Sequence, residues 1–148
     1  METQTARPYH LAAGEGDAMS WFSAQFQLKA SDTQIGLMEL TASPGIEPPM
    51  HVHAHEDEWY YVLDGEVTFH VGDDTHHGRT GSLAFLPRGI PHTFTIEGDK
   101  ATMLLLNAPG GFERMFELAP DTPEKAMAAL GRYDVEVVGP HPRDGAPQ

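Results

Sequence analysis

The apolar residues of this chain come in short bursts. WFSAQFQL, TQIGLMEL, EWYYVL, EVTFHV, SLAFL, HTFTI and ATMLLL are rich in aromatic or branched side chains and are separated by Gly, Pro, Asp or Asn. Such runs are too short for helices and carry the residues that pack well on a pleated surface, so they predict β-strands at barrel or sandwich spacing. Asp64-Gly65, between EWYYVL and EVTFHV, is the dipeptide that best supplies the positive φ angles of a tight turn, and it predicts that these two strands pair directly as a hairpin. Gly72-Asp73-Asp74 should close the second of them, while Pro44-Gly45 and Pro87-Arg88-Gly89 punctuate the approaches to the histidine-bearing strands.

Outside these bursts the pattern changes twice. Up to about Ser20 the chain is polar with no sustained period and reads as an arm. One helix is predicted late, where Asp121 or Thr122 can cap, Pro123 suits the first helical position, EKAMAAL supplies helix formers and Gly131 ends it. It is expected to pack outside the barrel. GPHPRDGAPQ, residues 139–148, offers almost nothing apolar to bury and should be a loose tail without chemistry.

At 148 residues the whole, 1–148, is expected to be one domain, with a barrel core at about 20–110. The first twenty residues lack the apolar core of a signal peptide and no stretch approaches a membrane span, so the expected location is the cytoplasm. Nine Lys and Arg against 22 Asp and Glu leave a formal charge of −13, a field that repels phosphate backbones and anionic headgroups. Nucleic acid and membranes are therefore not expected partners; a small-molecule substrate is. The absence of cysteine excludes disulfides, thiolate metal sites and Cys nucleophiles, so a metal here must be held by N and O ligands.

Three of nine histidines fall within His51-Val52-His53-Ala54-His55. On a strand alternate side chains share a face, which would put His51, His53 and His55 together. An isolated His-x-His is more often a solvated edge than a ligand pair, but here Glu58 follows at the head of a strand on which Glu58, Tyr60 and Val62 share a face. A carboxylate turned inward needs a metal ion or a cation to offset its desolvation, and Arg79 and Arg88 are the ion-pair alternatives nearest in sequence. His92 opens HTFTI with Phe94 and Ile96 on its face; alone, such a residue is more often a satisfied core histidine, but it completes a set of three imidazoles and one carboxylate. His76 and His77 sit next to one another on opposite faces of any strand, poor geometry for joint ligation.

The spacing resembles a known pattern. Gly45, five residues, His51-x-His53, four residues, Glu58, six residues and Gly65 match the first cupin motif; Gly81, five residues, Pro87-x-Gly89, two residues and His92 match the second, with Ile96 where the family commonly has Asn. The match spans about a third of the chain. It implies an all-β cupin fold, a double-stranded β-helix or jelly-roll barrel with a short C-terminal helix, and it implies one divalent transition-metal ion per chain (Fe, Mn, Ni, Cu or Zn) held by His51, His53, Glu58 and His92. His55, Tyr60, Val67, Phe69, Phe94 and Ile96 are the expected pocket residues.

PPMHVHAHEDEWYYVLDGEVTFHVGD, LPRGIPHTF and PGGFERMFEL resemble small quercetin-dioxygenase-like cupins. That resemblance implies a metal-dependent dioxygenase acting on a small enolised or phenolic aromatic, with Glu58 as catalytic base. The same ligands would serve a non-redox cyclase, lyase or isomerase, or a cupin that binds a small molecule without turnover. A homodimer is expected, because small cupins commonly resemble dimers sharing N-terminal strands and the Trp21-Phe22 and Phe26 strand would lie exposed at an edge.

Overall fold

Period-two burial runs through most of the strands. In GLMELTA every second side chain is buried, and EWYYV buries Glu58, Tyr60 and Val62 while Trp59 and Tyr61 face out. A computed structural model describes residues 6–144 of the chain. Its strands are β1 (Asp17–Trp21), β2 (Ala24–Ser31), β3 (Gly36–Ala42), β4 (Met50–His53), β5 (Asp57–Val71), β6 (Asp74–Arg79), β7 (Leu83–Leu86), β8 (His92–Ala108) and β9 (Val135–Gly139). All pairings are antiparallel, in the order β1-β2-β3-β8-β4-β9, while β5 pairs with β6, β7 and β8. The sheet thus curls into a barrel whose apolar core includes Phe26, Met38, Leu40, Val62, Phe69, Phe94 and Leu105. This is the expected all-β fold.

Several expectations change. EWYYVL and EVTFHV are not two arms of a hairpin but one strand, β5, which runs against β8 along nearly its whole length. Gly65 does adopt a positive φ of 97°, but as a bulge between Val62 and Glu66 that bends the strand around the barrel. A Cβ there would lie 2.7 Å from the Lys100 carbonyl oxygen of β8, so the partner strand leaves room only for glycine. Bending, not reversal, is what the positive φ serves. The expected turn at Gly72-Asp73 is present, with Val71 opposite Asp74.

WFSAQFQL is divided by a tight turn at Phe22-Ser23, and β1 starts at Asp17, inside the segment read as an arm. Its Met19 and Trp21 are buried, because β2 pairs along it and the 3₁₀ segment Phe112–Leu118 covers it. Trp21 and Phe26, expected to lie exposed at an edge, are 6% and 4% exposed, with Phe116 stacked on Phe26 at 4.1 Å. Helix α1 (Pro123–Arg132) is capped by Thr122, whose side chain accepts from the Lys125 N–H, and it turns Ala126, Ala129 and Leu130 inward. It packs against β9 and the segment Phe112–Leu118.

The segment from Gly139 is anchored as far as it is described. His141 is buried and meets the Phe94 carbonyl oxygen at 3.0 Å, and Arg143 pairs with Glu47 at 2.8 Å. The apolar count missed this because polar partners hold it. Residues 145–148 of the expected tail and residues 1–5 of the expected arm lie outside the described residues. No helix among the described residues is long and apolar enough to cross a membrane.

Candidate metal centre

Register brings the histidines together. His51 of β4 lies directly opposite His92 of β8, and β9 pairs with β4 on its other edge, with Val135 opposite His53. Glu58 enters from β5, two residues after Glu56 and opposite Asn107 of β8. Ligand-capable atoms of His51, His53, Glu58 and His92 all lie within 4.8 Å of one another, and all four residues are buried. The rings of His53 and His92 stack 5.2 Å apart at 2°, while His51 stands at 63° to His92.

Each imidazole is held from behind. His51 Nδ1 donates to the Pro49 carbonyl oxygen at 2.7 Å, His92 Nδ1 meets that of Ile90 at 3.2 Å, and His53 Nδ1 meets Glu56 Oε1 at 3.2 Å. A proton on Nδ1 leaves the Nε2 lone pair for the site, the arrangement in which histidine ligates metals. Glu58 Oε1 then sits 2.8 Å from His92 Nε2 and 3.1 Å from His53 Nε2.

This donor set fits a cation. A neutral imidazole carries a single N–H, yet His53 and His92 each have an oxygen acceptor at both ring nitrogens. His53 Nε2 is buried without a hydrogen bond, since its approach to Glu58 is close in distance but misdirected. A positive charge between these atoms satisfies all of them. Three imidazole nitrogens and one carboxylate oxygen are the donors of mid-row divalent metals, and four protein ligands leave coordination positions for water or substrate.

The protonation pattern tells the same story. Burial works against a charged His53, but Glu58 and Glu56 outweigh it and push the imidazole up to about 9. Burial, then the neighbouring charges of His92 and His53, push His51 down to about 3. Burial opposes ionisation of Glu58 too, yet His53 and His92 hold it well below the ordinary carboxylate range. Burial and the Glu58 charge push the Tyr60 hydroxyl well above its usual value, so it stays protonated.

Beside the cluster lies a cavity of about 40 Å³, room for roughly three water molecules. Its barrel wall includes Trp21, Phe26, Tyr60, Phe94 and Leu105; its cap is Phe112, Met115, Phe116 and Leu130. Of the expected pocket residues, Tyr60 and Phe94 line it. Val67, Phe69 and Ile96 are buried in the core but are not among its lining residues. His55 lies beyond the end of β4, where alternation no longer applies, and its side chain is 60% exposed, 3.0 Å from Asp134. His76 and His77 lie on β6, exposed.

The capping residues were not read from the sequence, although 112, 115 and 116 have the spacing of a helical face, as do 126, 129 and 130. Glu113 pins the cap: it is fully buried and its carboxylate accepts from Ser31 Oγ at 2.5 Å, the Gly111 N–H at 2.7 Å and Asn107 Nδ2 at 3.0 Å. Gly36 makes room for it, since a Cβ there would lie 2.1 Å from Glu113 Oε1. A groove of about 210 Å³ along α1 shares Trp21, Ile46 and Leu130 with the cavity.

Comparison with known proteins agrees with this geometry. The Cupin domain family matches residues 38–108, which contain all four cluster residues. Quercetin 2,3-dioxygenase of Bacillus subtilis (strain 168) is 23% identical over 115 residues, 75% of this chain and 34% of that protein. The chain therefore spans about a third of that relative's length. Among solved structures, KdgF from Halomonas sp. aligns with a TM-score of 0.65 at 15% identity, covering 71% of this chain and 96% of the other. Streptomyces PAC13 with uridine aligns at 0.64 and 14% identity over 92% and 94% of the two chains, and Pac13 is described as a nucleoside dehydratase. Identities this low establish fold, not activity. With two motifs in register and the barrel that holds them, residues 38–108 of this chain form a Cupin domain, and the described chain has the cupin fold.

Proposed function

We propose that the protein is a metal-dependent dioxygenase acting on a small enolised or phenolic aromatic molecule, with His51, His53, Glu58 and His92 as metal ligands and Glu58 also as the base. The observation that carries this reading is a cation-seeking set of three imidazoles and one carboxylate beside a small, largely apolar cavity. A divalent redox-capable metal ion held by these four residues would mediate the passage of electrons from the ionised substrate to dioxygen, the substrate being what is oxidised, and its charge would favour the ionised substrate oxygen. The chain's own residues supply the rest. Glu58 accepts the substrate's hydroxyl proton, its carboxylate being ionised and buried beside the cavity. Tyr60, protonated, donates a hydrogen bond to a substrate oxygen. Phe94, Phe112 and Phe116 flank a ring and exclude water.

Size limits the substrate. A cavity of about 40 Å³ admits a single ring only if the 112–118 cap yields, and a three-ring flavonol needs still more room. The relation to a quercetin dioxygenase thus supports the oxygenase chemistry, not quercetin as the substrate.

A second reading rests on the juxtaposition of Glu58 and Tyr60, a base and a neutral acid that together suffice for a non-redox lyase, isomerase or cyclase. The fold shared with a nucleoside dehydratase is in keeping with it. Oxygen uptake separates the two. Protein loaded in turn with Fe, Mn, Ni, Cu or Zn and given catechols, single-ring enols and a flavonol should consume oxygen with a single-ring compound, in a redox-active metal form, and lose this in His53→Ala. Turnover under nitrogen or in the zinc form would replace the first reading with the second. Binding without turnover in any form would leave a non-catalytic cupin.

A further inference from the structure

Strand β8 is paired with β5 along one edge, but its other edge is only partly covered. There β3 pairs with residues 101–107 and β4 reaches it where His51 meets His92; among the described residues, 93–97 have no strand beside them on that edge. Phe94 and Ile96 are buried, so their main-chain groups need partners of another kind. Two side chains supply them. The Glu47 carboxylate accepts from the Ile96 N–H at 3.0 Å, and His141 Nε2 donates to the Phe94 carbonyl oxygen at 3.0 Å. His141 Nδ1 in turn accepts the Arg143 N–H at 3.1 Å, so a neutral imidazole with its single proton satisfies both contacts.

Arg143 ties the two together. Its guanidinium makes two parallel bonds to Glu47, Nη1 to Oε1 at 3.0 Å and Nη2 to Oε2 at 2.8 Å, a fork that fixes direction as well as charge. The Glu47 side chain is 1% exposed, against 41% for Arg143, so the arginine reaches in from the surface to hold a buried acid. Glu47 lies on the 45–49 segment between β3 and β4, which is neither helix nor strand. Side chains of other elements hold it too: Trp21 Nε1 donates to the Ile46 carbonyl oxygen at 2.8 Å and Thr93 Oγ1 to that of Pro48 at 2.6 Å. The segment ends at Pro49, whose carbonyl oxygen takes the His51 Nδ1 proton at 2.7 Å. His53 and His92 lean instead on Glu56 and Ile90, outside this segment.

We propose that Arg143 is a positioning residue of the metal centre: by holding Glu47 it sets the 45–49 segment, and with it the Pro49 carbonyl that keeps the His51 proton on Nδ1 and leaves Nε2 free to ligate. Glu47 is followed by Pro48 and Pro49, whose rings fix φ, so a displacement of Glu47 is passed on to the Pro49 carbonyl and not absorbed between them. The role in ligation rests on the reading of His51, His53, Glu58 and His92 as metal ligands; the orientation of His51 holds in the metal-free chain as well.

Arg143→Gln in the full chain, with zinc as the only added probe, tests it. Without the fork, Glu47 is a buried acid that has lost its cation, and the segment should shift to hydrate it. Chelator competition should show zinc held about 10-fold more weakly than by wild type. Isotope-edited NMR of the metal-free protein at about pH 7 should show the His51 ring passing from a single Nδ1–H tautomer to a mixture of both. Arg143→Lys, which keeps the charge but not the fork, should recover part of each reading. Lys125→Gln, which removes the exposed pair with Asp121 at 3.0 Å, should change neither. Wild-type zinc affinity in Arg143→Gln overturns the inference, as does weakened affinity with the His51 tautomer unchanged. Should Arg143→Gln misfold by circular dichroism, Arg143→Lys is judged by the same two readings. A wild type that takes up no zinc sinks the ligand assignment, and the His51 tautomer alone then decides the role of Arg143.

Discussion

Glu56 Oε1 lies 3.2 Å from Nδ1 of His53, and both residues are buried, at 8% and 1% exposure. His51 and His92 are oriented by main-chain carbonyls, so His53 is the histidine of the cluster that leans on a second carboxylate. That carboxylate fixes the ring, keeps its proton on Nδ1 and makes Nε2 more basic. Glu56→Gln keeps an acceptor of the same shape but removes the charge. It should weaken metal binding about 10- to 100-fold, measured by competition with a chelator, with the fold unchanged by circular dichroism.

Metal removal should be felt as lost stability, because the cluster collects a buried carboxylate and three imidazoles that only the folded chain brings together. With free metal at about 100 times its Kd, binding contributes about 2.7 kcal/mol, and chelator should lower Tm by about 10 °C. His53→Ala should abolish that response. An unchanged Tm for wild type in chelator would contradict the assignment of the four ligands.

Acid stability should depend on Glu47. Burial works against its charge, but the Arg143 guanidinium and the Ile96 and Gly45 N–H groups outweigh it and hold the carboxyl down to about 2. A carboxylate held low in the folded state stabilises it fully above its ordinary value of 4.5, and the gain, on the order of 3 kcal/mol, is lost as pH falls from there to about 2. Glu47→Gln should be less stable at pH 7 and should show a flatter decline in denaturant midpoint across that interval.

The cap should be weakened by Glu113→Gln. The buried carboxylate takes three hydrogen bonds, and an amide turns an N–H₂ toward one of those donors. A loss of about 1–3 kcal/mol should follow, with faster proteolysis between residues 109 and 120. Unchanged stability together with unchanged proteolysis would show that the cap is held by Phe112, Met115 and Phe116 alone.

Much of the centre was legible because its parts are local. His51, His53 and Glu58 lie within eight residues, and alternation along a strand correctly turned His51 with His53 and Glu58 with Tyr60 and Val62. The same rule failed for His55, since alternation holds only within a strand and β4 ends at His53. It could not separate Glu56 from Asp57 either: one reaches back to His53 and the other pairs with Arg88, a difference made by the bend between β4 and β5.

Taken by itself, the chain's pattern of short apolar bursts determined an all-β fold, and its motif spacing determined which four residues would gather, because both are set by the two-residue repeat of a strand and by glycines at fixed intervals. Tertiary structure decided the rest. Whether Asp64-Gly65 reverses a strand or bends it depends on β8 passing 2.7 Å from where a Cβ would be. Whether the cavity is open or capped depends on the 112–118 segment, held by a glutamate that reaches Ser31, 82 residues away in sequence. Such long-range contacts leave no period in the chain, since they are fixed by the closing of the barrel and not by the repeat of any one element.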